Sequence, residues 1–321
     1  MVRVIELKAT DTKDLGHQLG EVFREEIRRK VERAMDAQWP ARVRGSLRHW
    51  SPTKRLFPKY AEEIQAYAHV AGIRWQDLWT LNLEIDIDAE RCTTMVTNGG
   101  KLIGHNEDFD PKSTTDLFLL KKTVGRLTVL DLNYFYSLGG NAASVNSHGW
   151  AQFINTLHGL TLRTGVPRNV IARWLSETKD PERDVRRLLR LPRMDGYAHT
   201  FVHADSRALT LEVASDGVAI SKARLPFAHT NHYLSALAKE QTFSSGSSRT
   251  RFKTATEKLS KRMTVPAIKR LMSDHSRGNK SIQSAATIGK MILDFPHREA
   301  QVWLKRDPKA GFTKVPLDFL P

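Results

Sequence analysis

The chain has 321 residues and a mass of 36.4 kDa, enough for one large domain or two modest ones around a well-buried core. Hydrophobic residues make up 40% and charged residues 26%. That excludes a disordered tail, and no apolar run approaches the roughly 20 residues of a bilayer span. The formal charge of +15 is lopsided, with a net +1 before Cys92 and a net +14 from Cys92 onward.

The opening stretch, MVRVIELKATDTKD, lacks the apolar centre of a secretory signal, so a cytoplasmic location is expected. Residues 11–38 read as the clearest helix: Asp11 or Thr12 can cap it, and Leu15, Leu19, Val22, Phe23, Ile27, Val31 and Met35 recur at spacings of three and four. A second helical stretch spans 53–71 and ends at Gly72, and a third covers 76–83. At Cys92 the texture changes to strand. Cys92 to Thr97 is followed by Asn98-Gly99-Gly100 and then Lys101 to Gly104, an Asn-Gly hairpin signal. Further strands are predicted at 126–136, 150–157, 199–203, 208–214, 286–293 and 300–304, and helices at 168–177, 182–190, 250–261 and 265–272. Ser244 to Ser248 reads as a loop. Runs of helices beside runs of strands imply an α+β layered fold.

A single cysteine rules out an internal disulfide. The basic excess concentrates anions by steering, but no zinc-finger spacing, RNP aromatic run or basic zipper selects nucleic acid. No Gly-x-Ser-x-Gly elbow, HExxH, phosphate loop or Rossmann fingerprint is present. Twelve histidines offer no good metal spacing, and His229 with His232 reads as local polar packing, so neither metal nor cofactor is expected.

That leaves Cys92 and its hairpin. A lone cysteine reads as an inert buried thiol or as a nucleophile. Which partner faces it depends on register. A three-residue turn pairs Thr97 with Lys101, puts Cys92 opposite Asn106 and makes Asp108 a diagonal neighbour. A two-residue turn puts His105 opposite Cys92 and allows a Cys–His pair. Asp108, Asn155 and Arg251 each have a bland alternative: a strand-end carboxylate, a structural strand amide and a solvated helix charge.

The segment from Cys92-Thr-Thr through Gly104-His-Asn106-Glu-Asp108-Phe109 resembles the nucleophile hairpin of the acyl-CoA:6-aminopenicillanic acid acyltransferase (isopenicillin N acyltransferase) family. More remotely it is similar to the choloylglycine (bile salt) hydrolases, which like that family are N-terminal-nucleophile (Ntn) hydrolases. Asn146-Ser-His-Gly149 with Asn155-Thr-Leu-His158, and His229-Thr-Asn-His232 with Ser247-Ser-Arg249-Thr-Arg251-Phe, resemble further family segments in the same order. So do the closing strands from Ala286 to Leu317 and an N-terminal segment carrying Gly16-His-Gln-Leu-Gly20.

The resemblance implies a four-layer αββα sandwich with two antiparallel sheets between helical layers. It also implies a precursor cleaved at Arg91–Cys92, with residues 1–91 kept as a small subunit and 92–321 as the catalytic large subunit. Cys92 would then be nucleophile and N-terminus at once, its α-amine serving as base. Asp108 would hold the ammonium, Asn155 would bind the oxyanion, and Arg251 would stabilise charge. Anchoring on Phe252 selects Arg251 over Arg249. Substrate contacts would come from His105 and Asn106, where His105 stands in place of an arginine or glutamine. Arg91 stands where a small residue is associated with the penicillin enzyme. The implied reaction is amide hydrolysis or acyl transfer through a Cys92 thioester, on a small N-acyl amide or an acyl thioester. Two alternatives stay open: an unprocessed Cys92–His105 hydrolase, and a non-catalytic relative whose basic surface binds an anionic partner.

Overall fold

The computed structural model describes residues 2–83, 92–157, 162–240 and 246–321. The N-terminal part comprises β1 (Val4–Ala9) and six helices, α1 (Thr12–Val22), α2 (Arg24–Ala34), α3 (Trp39–Leu47), α4 (Trp50–Leu56), α5 (Pro58–Ala71) and α6 (Trp75–Leu83). Then come β2 (Thr93–Thr97), β3 (Leu102–Asp108), β4 (Leu117–Val124), β5 (Leu127–Tyr134), β6 (Ala143–Asn146) and β7 (Trp150–Thr156). Two helices, α7 (Arg168–Leu175) and α8 (Pro181–Leu188), precede β8 (Tyr197–His203), β9 (Ala208–Val213), β10 (Val218–Lys222) and β11 (Phe227–His229). The chain closes with α9 (Gly246–Lys258), α10 (Val265–Met272), β12 (Thr287–Asp294), β13 (Glu299–Leu304) and β14 (Thr313–Pro316).

Among the described residues the strands form two sheets, ordered β1-β4-β5-β6-β7-β8-β9-β10 and β11-β2-β3-β12-β13-β14. Strands β3, β7 and β12 are buried along their whole length, so both faces of each sheet are covered. Between the sheets Val96 and Ile103 join the main core with Phe153. On the outer face of the second sheet, Met95 and Leu102 pack with Ile268, Leu271 and Met272 of α10. Helices α1–α8 cover the first sheet, which gives the α+β, αββα order that the resemblance implies. No helix among the described residues is long and apolar enough to cross a membrane.

Several boundaries differ from the periodicity reading for identifiable reasons. The helix expected over 11–38 breaks at Phe23 (φ −112°, ψ 20°), whose ring turns into Phe118 and Phe135 at centroid distances of 4.6 and 5.9 Å. Asp11 does cap α1, accepting from the Asp14 amide at 2.8 Å. The stretch expected over 53–71 divides before Pro58, because proline's ring pushes Phe57 out of helical geometry (φ −137°). Strand β1 was not expected. It pairs in parallel with β4, more than a hundred residues later, and its burial does not alternate cleanly. Ser247 and Ser248 lie buried in the first turns of α9 rather than in a loop, while 244 and 245 lie outside the described residues.

The Gly16 and Gly20 spacing acquires a physical reason here. A Cβ at Gly20 would stand 2.8 Å from the Tyr67 carbonyl oxygen, and one at Gly16 would run into the Glu63 carbonyl. The two glycines thus let α1 lie directly against α5.

Candidate active site

The turn between β2 and β3 sets the site. Asn98, Gly99 and Gly100 all take left-handed backbone angles (φ 53°, 64° and 90°), conformations that glycine adopts without strain. They form one 3-10 turn that Lys101 closes by donating to the Asn98 carbonyl at 3.3 Å. The connection is therefore four residues long, and Thr97 pairs with Leu102. Thr94 faces His105 and Thr93 faces Asn106, so Cys92 falls level with Glu107. This corrects both expected registers, which placed Asn106 or His105 opposite the cysteine. One added turn residue moves every side chain of the strand to the other face.

The pleat sorts the site into two sets. Toward the first sheet point Cys92, Thr94, His105 and Glu107, all buried. Cys92 Sγ lies 3.2 Å from Glu107 Oε2, which also meets His105 Nε2 at 3.0 Å. Tyr134 of β5 donates its hydroxyl to Glu107 Oε1 at 2.8 Å. His105 Nδ1 lies 3.0 Å from Thr94 Oγ1, and the His105 ring leans on Phe153 at 5.8 Å. Thr94 in turn donates to Asn155 Oδ1 at 2.9 Å, and Asn155 Nδ2 reaches the His229 carbonyl at 3.4 Å.

Toward the helical layer point Thr93, Asn106 and Asp108. Asn106 donates to the carbonyls of Met272 and Ile282 at 2.8 and 3.0 Å, so its amide ties down the end of α10 and the chain beyond it. Arg251 of α9 is buried. Its Nη1 donates to the Cys92 carbonyl at 2.7 Å and to Thr93 Oγ1 at 2.8 Å, and its Nη2 donates to Asn231 Oδ1 at 2.8 Å. Arg249, the other candidate, is exposed. The Asp108 backbone carbonyl lies 4.0 Å from Cys92 Sγ, while its carboxylate is on the opposite face from the thiol.

Burial pushes the Asp108 carboxyl up to about 7, although the Arg251 charge and the Thr287 hydroxyl pull it back. Neither carboxylate oxygen has a well-formed hydrogen bond among the described residues. Burial likewise depresses Lys290 on neighbouring β12 to about 8, with Asp108 working the other way. This carboxyl and this amine therefore change charge near neutrality, on the face where Arg251 holds the cysteine backbone.

His229 and His232 turn to different partners. His229 Nε2 sits 2.9 Å from Glu212 Oε1, and His232 Nδ1 sits 2.8 Å from Ser248 Oγ. Cys92, His105 and Glu107 do form a possible metal-holding group, their ligand atoms within 4.8 Å of one another. Arg91, the residue before Cys92, lies outside the described residues, as does His158.

The structure thus brings Cys92, His105, Asn155 and Arg251 around one strand end, places Asp108 behind it, and gives Asn106 to the scaffold. Glu107, Tyr134 and Thr94 escaped the sequence reading. The alternation of β3 puts Glu107 on the face of His105, but only the true turn length brings it level with Cys92.

Comparison with known proteins adds a separate line. The fold overlays on penicillin V acylase from Agrobacterium tumefaciens with a TM-score of 0.44 at 8% identity, over 67% of this chain and 83% of that one. A variant of the conjugated bile acid hydrolase from Clostridium perfringens gives a TM-score of 0.48 at 8% identity, over 71% of this chain and 92% of that one. Among curated proteins no sequence match is found. The sequence model of the acyl-coenzyme A:6-aminopenicillanic acid acyl-transferase family matches residues 95–306, about two thirds of the chain. That span includes β3, β7 and α9, which carry His105, Glu107, Asn155 and Arg251. On that match the chain belongs to the acyl-coenzyme A:6-aminopenicillanic acid acyl-transferase family.

Proposed function

We propose that the protein is a self-processing cysteine amidohydrolase or acyltransferase. It cuts its own chain at Arg91–Cys92 and then acts on C–N amide bonds through a Cys92 thioester. The observation that carries this reading is the position of Cys92. It is buried immediately before β2, with its carbonyl fixed by Arg251 at 2.7 Å, in a chain whose family is acyl-transferring.

Cleavage before Cys92 converts its amide nitrogen into an amine with an ordinary pKa of about 7.7–8.0, a base that can accept the thiol proton near neutrality. Asp108, itself poised near 7, is the carboxylate to hold that amine once the new terminus is free to move. Asn155 has only a long 3.4 Å bond on its amide nitrogen, so little holds that donor back from a tetrahedral oxyanion. Arg251 anchors the nucleophile's backbone, and the inner-face His105 is the group to meet substrate. Residues 1–91 stay bound as a small subunit, because β1 is an integral strand of the first sheet and α1–α6 cover its outer face. The acyl donor is a small N-acyl amide or an acyl thioester. The net +14 from Cys92 onward favours an anionic one.

Intact mass under denaturing conditions tests this. Scaled by residue number from 36.4 kDa, wild type should yield fragments of roughly 10 and 26 kDa, and Cys92→Ala neither. A whole wild-type chain overturns self-processing.

A second reading draws on the close approach of Cys92, His105 and Glu107. In it the intact chain hydrolyses amides with His105 as base, and activity disappears in His105→Ala without any cleavage.

A further inference from the structure

Before cleavage the nitrogen of Cys92 is an amide and cannot accept a proton, so the amine that serves the mature enzyme is not available to arm the thiol for the first cut. Asp108 does not fill the gap, because its carboxylate lies on the far face of β3. We propose that the buried His105–Glu107 pair is the proton acceptor that arms Cys92 for self-cleavage. This rests on the self-processing reading above.

The hydrogen-bond chain is consistent with one arrangement of donors and acceptors around the pair. With Asn155 Nδ2 turned toward the His229 carbonyl, its Oδ1 faces Thr94 at 2.9 Å and takes that residue's only hydroxyl hydrogen. Thr94 Oγ1 can then only accept from His105, which places a hydrogen on Nδ1. Nε2 faces Glu107 Oε2 at 3.0 Å with a single proton between them. Tyr134 occupies Oε1, and the remaining approach to Oε2 is taken by the Cys92 thiol at 3.2 Å. The pair is neutral as a whole. Taking one more proton leaves an imidazolium and a carboxylic acid beside a thiolate, so charge is conserved inside the cluster and the imidazolium faces the new anion.

The step balances with water as the only co-reactant. The S–H bond breaks and its proton passes to Glu107 Oε2. The thiolate attacks the Arg91 carbonyl carbon, forming the S–C bond, and the Arg91–Cys92 C–N bond breaks as the pair returns the proton to nitrogen. Water then hydrolyses the thioester, releasing the Arg91 carboxyl and restoring the thiol.

The test follows full-length chains by intact mass from the moment of purification, with Cys92 alkylation by iodoacetamide measured in parallel across pH. Removing a general base costs about 10²–10⁴-fold. Glu107→Gln should therefore cleave at least about 100-fold more slowly than wild type, with Glu107→Asp in between. Alkylation of intact Glu107→Gln should fall by about tenfold or more at pH 7 and recover at pH 10, where the thiol ionises unaided. A Glu107→Gln chain that melts like wild type and cleaves within threefold of it overturns the proposal. If Glu107→Gln does not fold, Glu107→Asp and His105→Gln carry the same comparison, and unchanged cleavage in both overturns it. If wild type itself never cleaves, the self-processing reading falls. The pair is then judged by alkylation alone, and equal rates in wild type and Glu107→Gln overturn it too.

Discussion

Two buried polar clusters sit on the two sides of the first sheet, and they are built for opposite purposes. Around Arg173 of α7, Glu63 of α5 lies 3.2 Å from one guanidinium nitrogen and Glu177 lies 2.9 Å from the other. Lys59 and Tyr60 also bond Glu177, and Lys122 bonds Asp131 at 3.0 Å nearby. Burial works against the Glu177 carboxylate, yet Arg173 and Lys59 outweigh it and hold its pKa at about 2. Arg173 and Glu177 are held in their charged forms, and the ion pairs with Glu63 and Lys59 lock residues of the first 91 to the rest of the chain. Around Cys92 a thiol, an imidazole and a carboxylate are hydrogen-bonded to one another, with the Asp108 carboxyl behind them pushed up to about 7. Burial alone does not make a site reactive. What matters is whether the buried groups carry full opposite charges or a proton that can move.

Substitutions can break that contrast, beginning with the largest expected effect. Cys92→Ala should abolish amide turnover, a loss on the order of 10⁴-fold or more, while the uncut chain still unfolds cooperatively. Steady-state assay beside a thermal scan checks both halves. Arg173→Met should do the reverse, leaving Cys92 chemistry in whatever remains folded and costing about 3–5 kcal/mol by stranding Glu63 and Glu177. Denaturant unfolding measures it, and a loss below about 1 kcal/mol would show that the network is not a clamp.

Asp108→Asn sharpens the comparison through pH. A carboxyl whose folded pKa is raised is fully compatible with folding below its unfolded value of 3.8, and it costs stability as pH rises toward about 7. The variant should therefore match wild type near pH 4 and gain on it up to about pH 7, by at most about 4 kcal/mol, with no further gain beyond. Unfolding midpoints across that range give the answer, and a pH-independent difference would show that Asp108 is not the titrating group. Asn155→Ala should lower kcat by about 10²–10³-fold, near 3 kcal/mol of barrier, with KM little changed. A rise in KM alone would instead make Asn155 a substrate contact.

The sequence was a good guide wherever one strand or helix decides the matter. The helix over 265–272 and the strands near 150–156 and 208–213 follow local periodicity and turn residues, and the structure has them within a residue or two. The family-like segments likewise pointed to Cys92, Asn155 and Arg251, three residues that the fold gathers at one strand end. Strand β1 was illegible because its partner β4 lies more than a hundred residues away. Asn106 could not be assigned from its strand either, since its role is to hold two carbonyls of the helical layer.

By itself, then, the sequence determined most of the element types, the α+β class, the family and the cysteine that the proposed chemistry uses. Only the tertiary structure decided what faces that cysteine. Asn-Gly-Gly announces a tight turn, but three left-handed residues in a row make the connection four residues long, and this length is settled by the strands that flank it. In a β-strand one residue of register is the difference between two faces. That single residue brought Glu107, rather than His105 or Asn106, level with the thiol.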